Sequence, residues 1–175
     1  VDTFSKNKKR QLQKAVTLSV DKSLSPEQFY AFHRLCMALQ KKQISYSREF
    51  FLGLQRKTER EQRSQIIAIR NADGELCAAA FLVWDKQRMY YLIPCFNPLY
   101  KESGANALLV VEAIKLAREK GVIFDFEGSM HRGTASHYKQ FGSEKKIYYS
   151  VEKYYRPLFR IAMGINYLRN LKYGK

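Results

Sequence analysis

The spacing of apolar positions changes along the chain, and each change marks an element. Phe4 to Ala15 reads Phe-Ser-Lys-Asn-Lys-Lys-Arg-Gln-Leu-Gln-Lys-Ala, basic and free of acid, and predicts a short opening helix. Val16 to Val20 alternates as a strand does. Ser25-Pro26-Glu27 is a helix start, with Ser as the cap and Pro in the first turn, and Phe29, Phe32, Leu35 (or Cys36) and Leu39 follow at helical spacing. Another helix is predicted from Ser47 through Arg56, with Phe50, Phe51 and Leu54 on one side, and then an exposed charged stretch from Thr58 to Arg63.

Beyond that stretch the pattern becomes extended. Gln65 to Arg70 predicts a strand, Asn71-Ala72-Asp73-Gly74 a hairpin turn, and Leu76 to Trp84 a returning strand that is apolar on both faces and therefore central. Asp85-Lys86-Gln87-Arg88 turns the chain into a strand from Met89 to Ile93, which Pro94 stops. Ala105 to Lys120 is a helix whose polar stripe, Glu112, Lys115 and Glu119, is narrow, so most of its circumference is covered before Gly121 ends it. Val122 to Phe126 predicts a strand, Gly128 to Gly133 a loop, Thr134 to Phe141 a short helix and Lys146 to Val151 a last strand. The tail from Arg156 to Leu171 reads as a basic amphipathic helix with Leu158, Ile161, Ile165 and Leu168 on one face. The expectation is an α/β (α+β) fold: a mixed, mostly antiparallel sheet of about six strands with helices on both faces.

Composition narrows the class. The chain has 175 residues, with 31 Lys plus Arg against 16 Asp plus Glu, a formal net charge of +15. Because 46% of residues are hydrophobic and 14% aromatic, a core forms readily and disorder is excluded. No apolar run approaches the roughly 18 residues of a membrane-spanning helix. Cys36, Cys77 and Cys95 are widely spaced among apolar residues, which fits free thiols in a reducing compartment and a cytoplasmic protein. Much of the positive charge lies at the ends, Lys6 to Lys14 and Lys153 to Lys175. The first residue is Val, and no signal-peptide pattern follows it, so the chain reads as a piece of a longer one. Residues 1–175 are taken as a single domain: a basic opening helix (1–15), a strand and two helices (16–63), a sheet core with two helices (64–152) and a basic C-terminal helix (156–172).

Candidate chemistry clusters between Asp125 and Gly142. Strand alternation puts Asp125 and Glu127 on one face and Phe124 and Phe126 on the other, so carboxylates converge at the strand's carboxyl end, where open sheets bind ligands. Either carboxylate works as a base there; Asp125 equally fits a cap or an ion pair with a neighbouring basic residue. In His137-Tyr138-Lys139-Gln140-Phe141-Gly142, Tyr138 packs its ring or presents its hydroxyl as an acid. His131 and Arg132, with Lys139, are placed to touch a substrate phosphate or carboxylate. His33 and Cys36 lie three apart on a helix, but no second pair at ligand spacing exists, so a packed helix face and no metal are expected. Cys95, between Pro94 and Phe96, reads as an inert buried thiol.

With the order of elements, these residues resemble the GNAT superfamily of N-acyltransferases, whose motif after the fifth strand reads Phe-Tyr-x-x-x-Gly-Phe. Tyr138 falls on its Tyr and Gly142 on its Gly, while His137 and Ser143 replace the flanking aromatics. The resemblance implies that Tyr138 is a general acid for the leaving thiolate of coenzyme A, with Glu127 as base, and that a backbone N–H near Pro94 polarises the donor carbonyl. Coenzyme A-binding members show Arg/Gln-x-x-Gly-x-Gly/Ala before the third helix, where this chain has Lys101, Gly104 and Asn106, with Ser103 and the small Ala105 beside them. That loop either cradles the pyrophosphate of an acyl-CoA on helix N–H groups or is an ordinary cap by Ser103.

A narrower resemblance spans nearly the whole chain. Phe4-Ser5-Lys6-Asn7-Lys8-Lys9-Arg10 with Lys14-Ala15, Ser103-Gly104-Ala105 to Leu109, Asp125-Phe126-Glu127-Gly128, Tyr138 to Gly142 and the basic tail are similar to the second half of FemAB-like proteins, tandem GNAT-fold transferases. The best-known of those move amino acids from aminoacyl-tRNA to cell-wall precursor peptides. The resemblance implies transfer of an acyl or aminoacyl group, from acyl-CoA or aminoacyl-tRNA, to an amine. It implies as partners a missing N-terminal GNAT-like half and a tRNA or other phosphate-bearing substrate. The alternative is a non-catalytic scaffold whose basic flanks bind RNA or anionic phospholipid, the C-terminal helix resting on a membrane surface.

Overall fold

Ser5, Ser25 and Ser47 each start a helix by accepting a hydrogen bond from a backbone N–H three residues on. Ser25 adds the reciprocal bond from its own N–H to Gln28, a full capping box, and each such cap contributes about 1 kcal/mol. In the computed structural model, which describes residues 3–127 and 132–147, these helices are α1 (Lys6–Lys14), α2 (Pro26–Leu39) and α3 (Arg48–Arg60). The strands are β1 (Ser19–Asp21), β2 (Ser64–Arg70), β3 (Leu76–Trp84), β4 (Arg88–Phe96) and β5 (Ile123–Asp125); α4 (Ala105–Glu119) and α5 (Arg132–Lys139) complete the order. Residues 1–143 form one unit. Glu144 begins a second, of which 144–147 are described and carry no regular structure.

The five strands lie in sequence order β1-β2-β3-β4-β5, antiparallel except for the parallel pair β4·β5. Alternation sorts the core into two layers. Ile67, Ile69, Ala78, Ala80 and Leu82 pack against α4, while Ile66, Ala68, Ala79 and Phe81 pack against Phe29, Phe32 and Phe51 of α2 and α3.

β4 departs from this alternation, and the departure shapes the site. Phe81 pairs with Ile93 but Val83 with Tyr90, so Tyr91 and Leu92 together oppose Leu82 in a β-bulge. The one-residue slip turns the strand over. Met89 and Tyr91 face the α4 layer, whereas Ile93 and Cys95 face the α2 layer. At the same level β5 leaves: its pairing ends at Tyr90 with Asp125, and the strands part. The Asn97 N–H bonds the Cys77 carbonyl of β3 at 2.9 Å, so Pro94, an odd number of residues back, turns its missing N–H to the open flank and breaks no ladder.

Several expectations are corrected. The strand expected from Val16 is a 3-10 turn, Ala15–Thr17, with Val16 82% exposed, and β1 follows it. The charged stretch after Thr58 continues α3 as far as Arg60, helped by Thr58 Oγ1 donating to the Leu54 carbonyl. Pro94 does not stop β4, for the reason just given. The sheet has five strands among the described residues: 146–147 are not strand, and the rest of the expected last strand, with the helix from Arg156 to Leu171, lies outside them. No helix among the described residues is long and apolar enough to cross a membrane.

Candidate active site

Where β4 and β5 part, aromatic side chains line the α4 face. Phe124 and Phe126 meet edge to face at 4.9 Å, and the Tyr138 ring of α5 stacks on Phe126 at 4.4 Å. Tyr138 is half-buried, and that burial raises its pKa above 10, so its hydroxyl stays protonated and is an acid. The alternation expected to carry Asp125 and Glu127 onto one face does not reach Glu127. The strand ends at Asp125, and Glu127 has a left-handed φ of 65°. The cause is local: Asp125 Oδ1 accepts the Glu127 N–H at 2.9 Å, curling the chain into a turn, while Oδ2 accepts from Arg88 at 2.9 Å. Asp125 is thus both cap of the turn and ion-pair partner, and Glu127 is the exposed carboxylate just past the end of β5.

The loop before α4 is built for packing. Ser103 Oγ donates to the Tyr100 carbonyl at 2.7 Å and accepts the Ala105 N–H at 3.2 Å, but the N-cap of α4 is Gly104, so Ser103 braces the turn before the helix and is not the ordinary cap residue. Gly104 has φ 84°, and a Cβ there would meet the Gln11 carbonyl oxygen at 2.1 Å and Ala15 Cβ at 3.2 Å. The close approach that Gly104 permits is therefore taken by helix α1 of the same chain, with a carbonyl oxygen of the wrong polarity for a phosphate. Ala105 is buried, the Asn106 amide is 3.3 Å from His137 Nε2, and Lys101 is exposed. The residues expected to hold an acyl-CoA pyrophosphate do not fit that group.

The feature sequence reasoning missed is Lys8. It is 2% exposed, its Nζ donating to Gln11 Oε1 at 2.8 Å and to His137 Nδ1 at 3.1 Å and lying 4.9 Å from the centre of the Phe141 ring. None of the ion pairs among the described residues includes it. Burial, and then the Lys8 charge, lower the His137 pKa to about 4, so the imidazole is neutral and accepts. The signal was present: Phe4, Lys8, Leu12 and Ala15 share one face of a helical period, and only that face is covered.

The other candidates fall as follows. The His131 and Arg132 side chains lie outside the described residues, and Lys139 is exposed. His33 bonds the Tyr46 hydroxyl at 3.0 Å and packs on Phe29, and among the described residues no group of three or more ligating side chains gathers. The cysteines are free and buried; Cys95 Sγ contacts the Ala79 carbonyl at 3.4 Å, and burial pushes its pKa well up, which makes it inert.

A family model described as an acetyltransferase (GNAT) domain matches residues 4–140. Among solved structures, FemX is similar with a TM-score of 0.68 at 13% identity, covering 81% of this chain and 54% of its own. The present chain thus spans about half the length of FemX. AAC(6')-Iy, solved with a bisubstrate analogue CoA-S-monomethyl-acetylneamine, has a TM-score of 0.60 at 9% identity over 79% of this chain and 98% of its own. Glucosamine-6-phosphate N-acetyltransferase from Arabidopsis thaliana has a TM-score of 0.55 at 14% identity over 80% and 99%. No curated protein matches. Identities this low carry the likeness of fold alone.

Proposed function

The chain belongs to the GNAT acetyltransferase domain family, and on that premise we propose that it transfers an acyl group to an amine in the cleft between β4 and β5. The observation that supports this most is Tyr138, a protonated hydroxyl stacked on Phe126 at the level where the strands part. The neutral amine attacks the donor carbonyl carbon, and Glu127, directly or through a water, takes the proton the nitrogen must lose. Charge developing on the carbonyl oxygen is met by a backbone N–H on the open flank of β4, at Tyr91 or Leu92. As the bond to the leaving heteroatom breaks, Tyr138 supplies that atom's proton and is reprotonated from solvent. Asp125 positions Glu127 through the turn it caps.

The donor lies along the cleft, and no step depends on a pyrophosphate at Gly104. An acyl-CoA thioester and an aminoacyl-tRNA ester are the alternative carriers. Supplying each to the full-length chain with a primary amine, and comparing wild type with Tyr138→Phe and Glu127→Gln, tests the assignment. Losses of about 100-fold or more in transfer are expected from general acid–base roles; unchanged rates would overturn them. A second reading, a binding module for RNA, is favoured by α1, which exposes Lys6, Arg10 and Lys14 with no acid on the helix. Affinity for RNA that falls steeply with salt while no acyl transfer occurs would select it.

A further inference from the structure

Among the described residues, the buried side-chain polar atom without a hydrogen-bond partner is the Tyr91 hydroxyl. Tyr91 is 3% exposed, and native cores rarely keep such a group unpaired. A phenylalanine would fill the same space without the unpaired oxygen, as Phe124 and Phe126 do opposite it. The position is not an arbitrary one in the core. Tyr91 is the first residue of β4 beyond the last pair with β5 and shares the bulge with Leu92. Its ring meets Phe124 at 5.7 Å and Phe126 at 6.3 Å, on the face that carries Tyr138. Burial holds the hydroxyl protonated, so it is a donor in search of an acceptor. The rings around it disfavour a charged group there, and a neutral oxygen meets both conditions.

We propose that Tyr91 binds the acyl donor, its hydroxyl donating a hydrogen bond to a neutral carbonyl oxygen, of a thioester, ester or amide, in the donor segment that enters between β4 and β5. This rests on the acyl-transfer reading and adds the chemistry of that segment: uncharged, with a carbonyl oxygen close to the bond being broken. It also explains why the bulge matters, because the slip places Tyr91 rather than Leu92 on the α4 face, beside Phe124 and Phe126.

The test uses the full-length chain and two neutral probes, S-acetyl-N-acetylcysteamine for a thioester carrier and N-acetylglycine ethyl ester for an aminoacyl-type ester. With tyrosine labelled at Cζ, the Tyr91 resonance is expected to shift on adding at least one probe, and the probe that binds more tightly identifies the carrier. Tyr91→Phe should weaken that binding about tenfold, the worth of one buried hydrogen bond, while its Tm stays the same or rises because no bond within the fold is lost. Binding equal to wild type, a lowered Tm with unchanged binding (a hydroxyl paired inside the fold or with a trapped water), or a wild-type chain that binds neither probe would each overturn the proposal. The resonance shift answers even if the variant folds poorly. The underlying reading fails separately, by a Tyr138→Phe variant that transfers as fast as wild type.

Discussion

Acidification should weaken this fold, most of all through His137. His137 sits between Lys8 Nζ at 3.1 Å and the Asn106 amide at 3.3 Å, and its pKa falls from 6.5 to about 4 through burial and the Lys8 charge. The unfolded chain therefore takes up a proton at His137 between pH 6.5 and 4 while the folded chain does not, so stability is lost as the pH falls through that window. A displacement from 6.5 to about 4, at about 1.4 kcal/mol for each pH unit, gives roughly 3 kcal/mol at full value. His137 is only half-buried, so solvent screening reduces the expected loss to about 1–2 kcal/mol. His33, also shifted down by burial, acts in the same direction, and the measurement must separate the two. Urea unfolding of wild type and His137→Phe at several pH values between 7.5 and 4.5 does so. The difference between the two curves should shrink by about 1–2 kcal/mol on acidification. Parallel curves would show that His137 titrates alike in both states and refute the reasoning.

Three further outcomes follow from the same packing. Gly104→Ala should cost about 3 kcal/mol or more, since a left-handed φ of 84° and a Cβ 2.1 Å from the Gln11 carbonyl force α1 away from α4, and the fall in urea midpoint measures it. Lys8→Met keeps the buried stem and removes a cation that has no carboxylate partner among the described residues, but it also removes the donor to Gln11 Oε1 and His137 Nδ1, so stability should change by no more than about 1 kcal/mol, while the His137 pKa, followed by NMR, should rise part of the way towards its usual value. Asp125→Ala loses a part-exposed ion pair worth at most about 1 kcal/mol and also the oxygen that accepts the Glu127 N–H, so the turn loosens and transfer should fall more than stability does, whereas Asp125→Asn, which keeps that acceptor, should keep most of the transfer rate.

How much of the fold and of the site is legible in the sequence follows from the range of each signal. Caps are local, and Ser25 with Pro26 and Gln28 announces α2 in a few letters. The central strand Leu76–Trp84 is equally plain because burial on both faces needs no partner information. The parting of β4 and β5 is not local: the bulge at Tyr91 and Leu92 exists only in the register with Leu82, and no residue type there encodes it. For the same reason Pro94 read as a stop, although the flank it faces is open. Asp125 and Glu127 are visible in the sequence as a pair, but the Asx turn that takes Glu127 off the face of Asp125 depends on a strand end that periodicity places loosely. Gly104 stands out in the sequence as part of a possible pyrophosphate loop, and what approaches it is α1, a contact across about ninety residues. Lys8 was submerged in a run of like charges, and only its place on the apolar face distinguished it.

The central claim is that Tyr138 is the acid for the departing group at the β4–β5 cleft. Its most direct test compares kcat of wild type and Tyr138→Phe on an alkyl thioester, whose leaving group needs a proton, and on a nitrophenyl ester, whose leaving group does not. The account predicts a loss of about 100-fold or more on the first donor and little on the second. Equal losses on both donors, or none on the thioester, would contradict it.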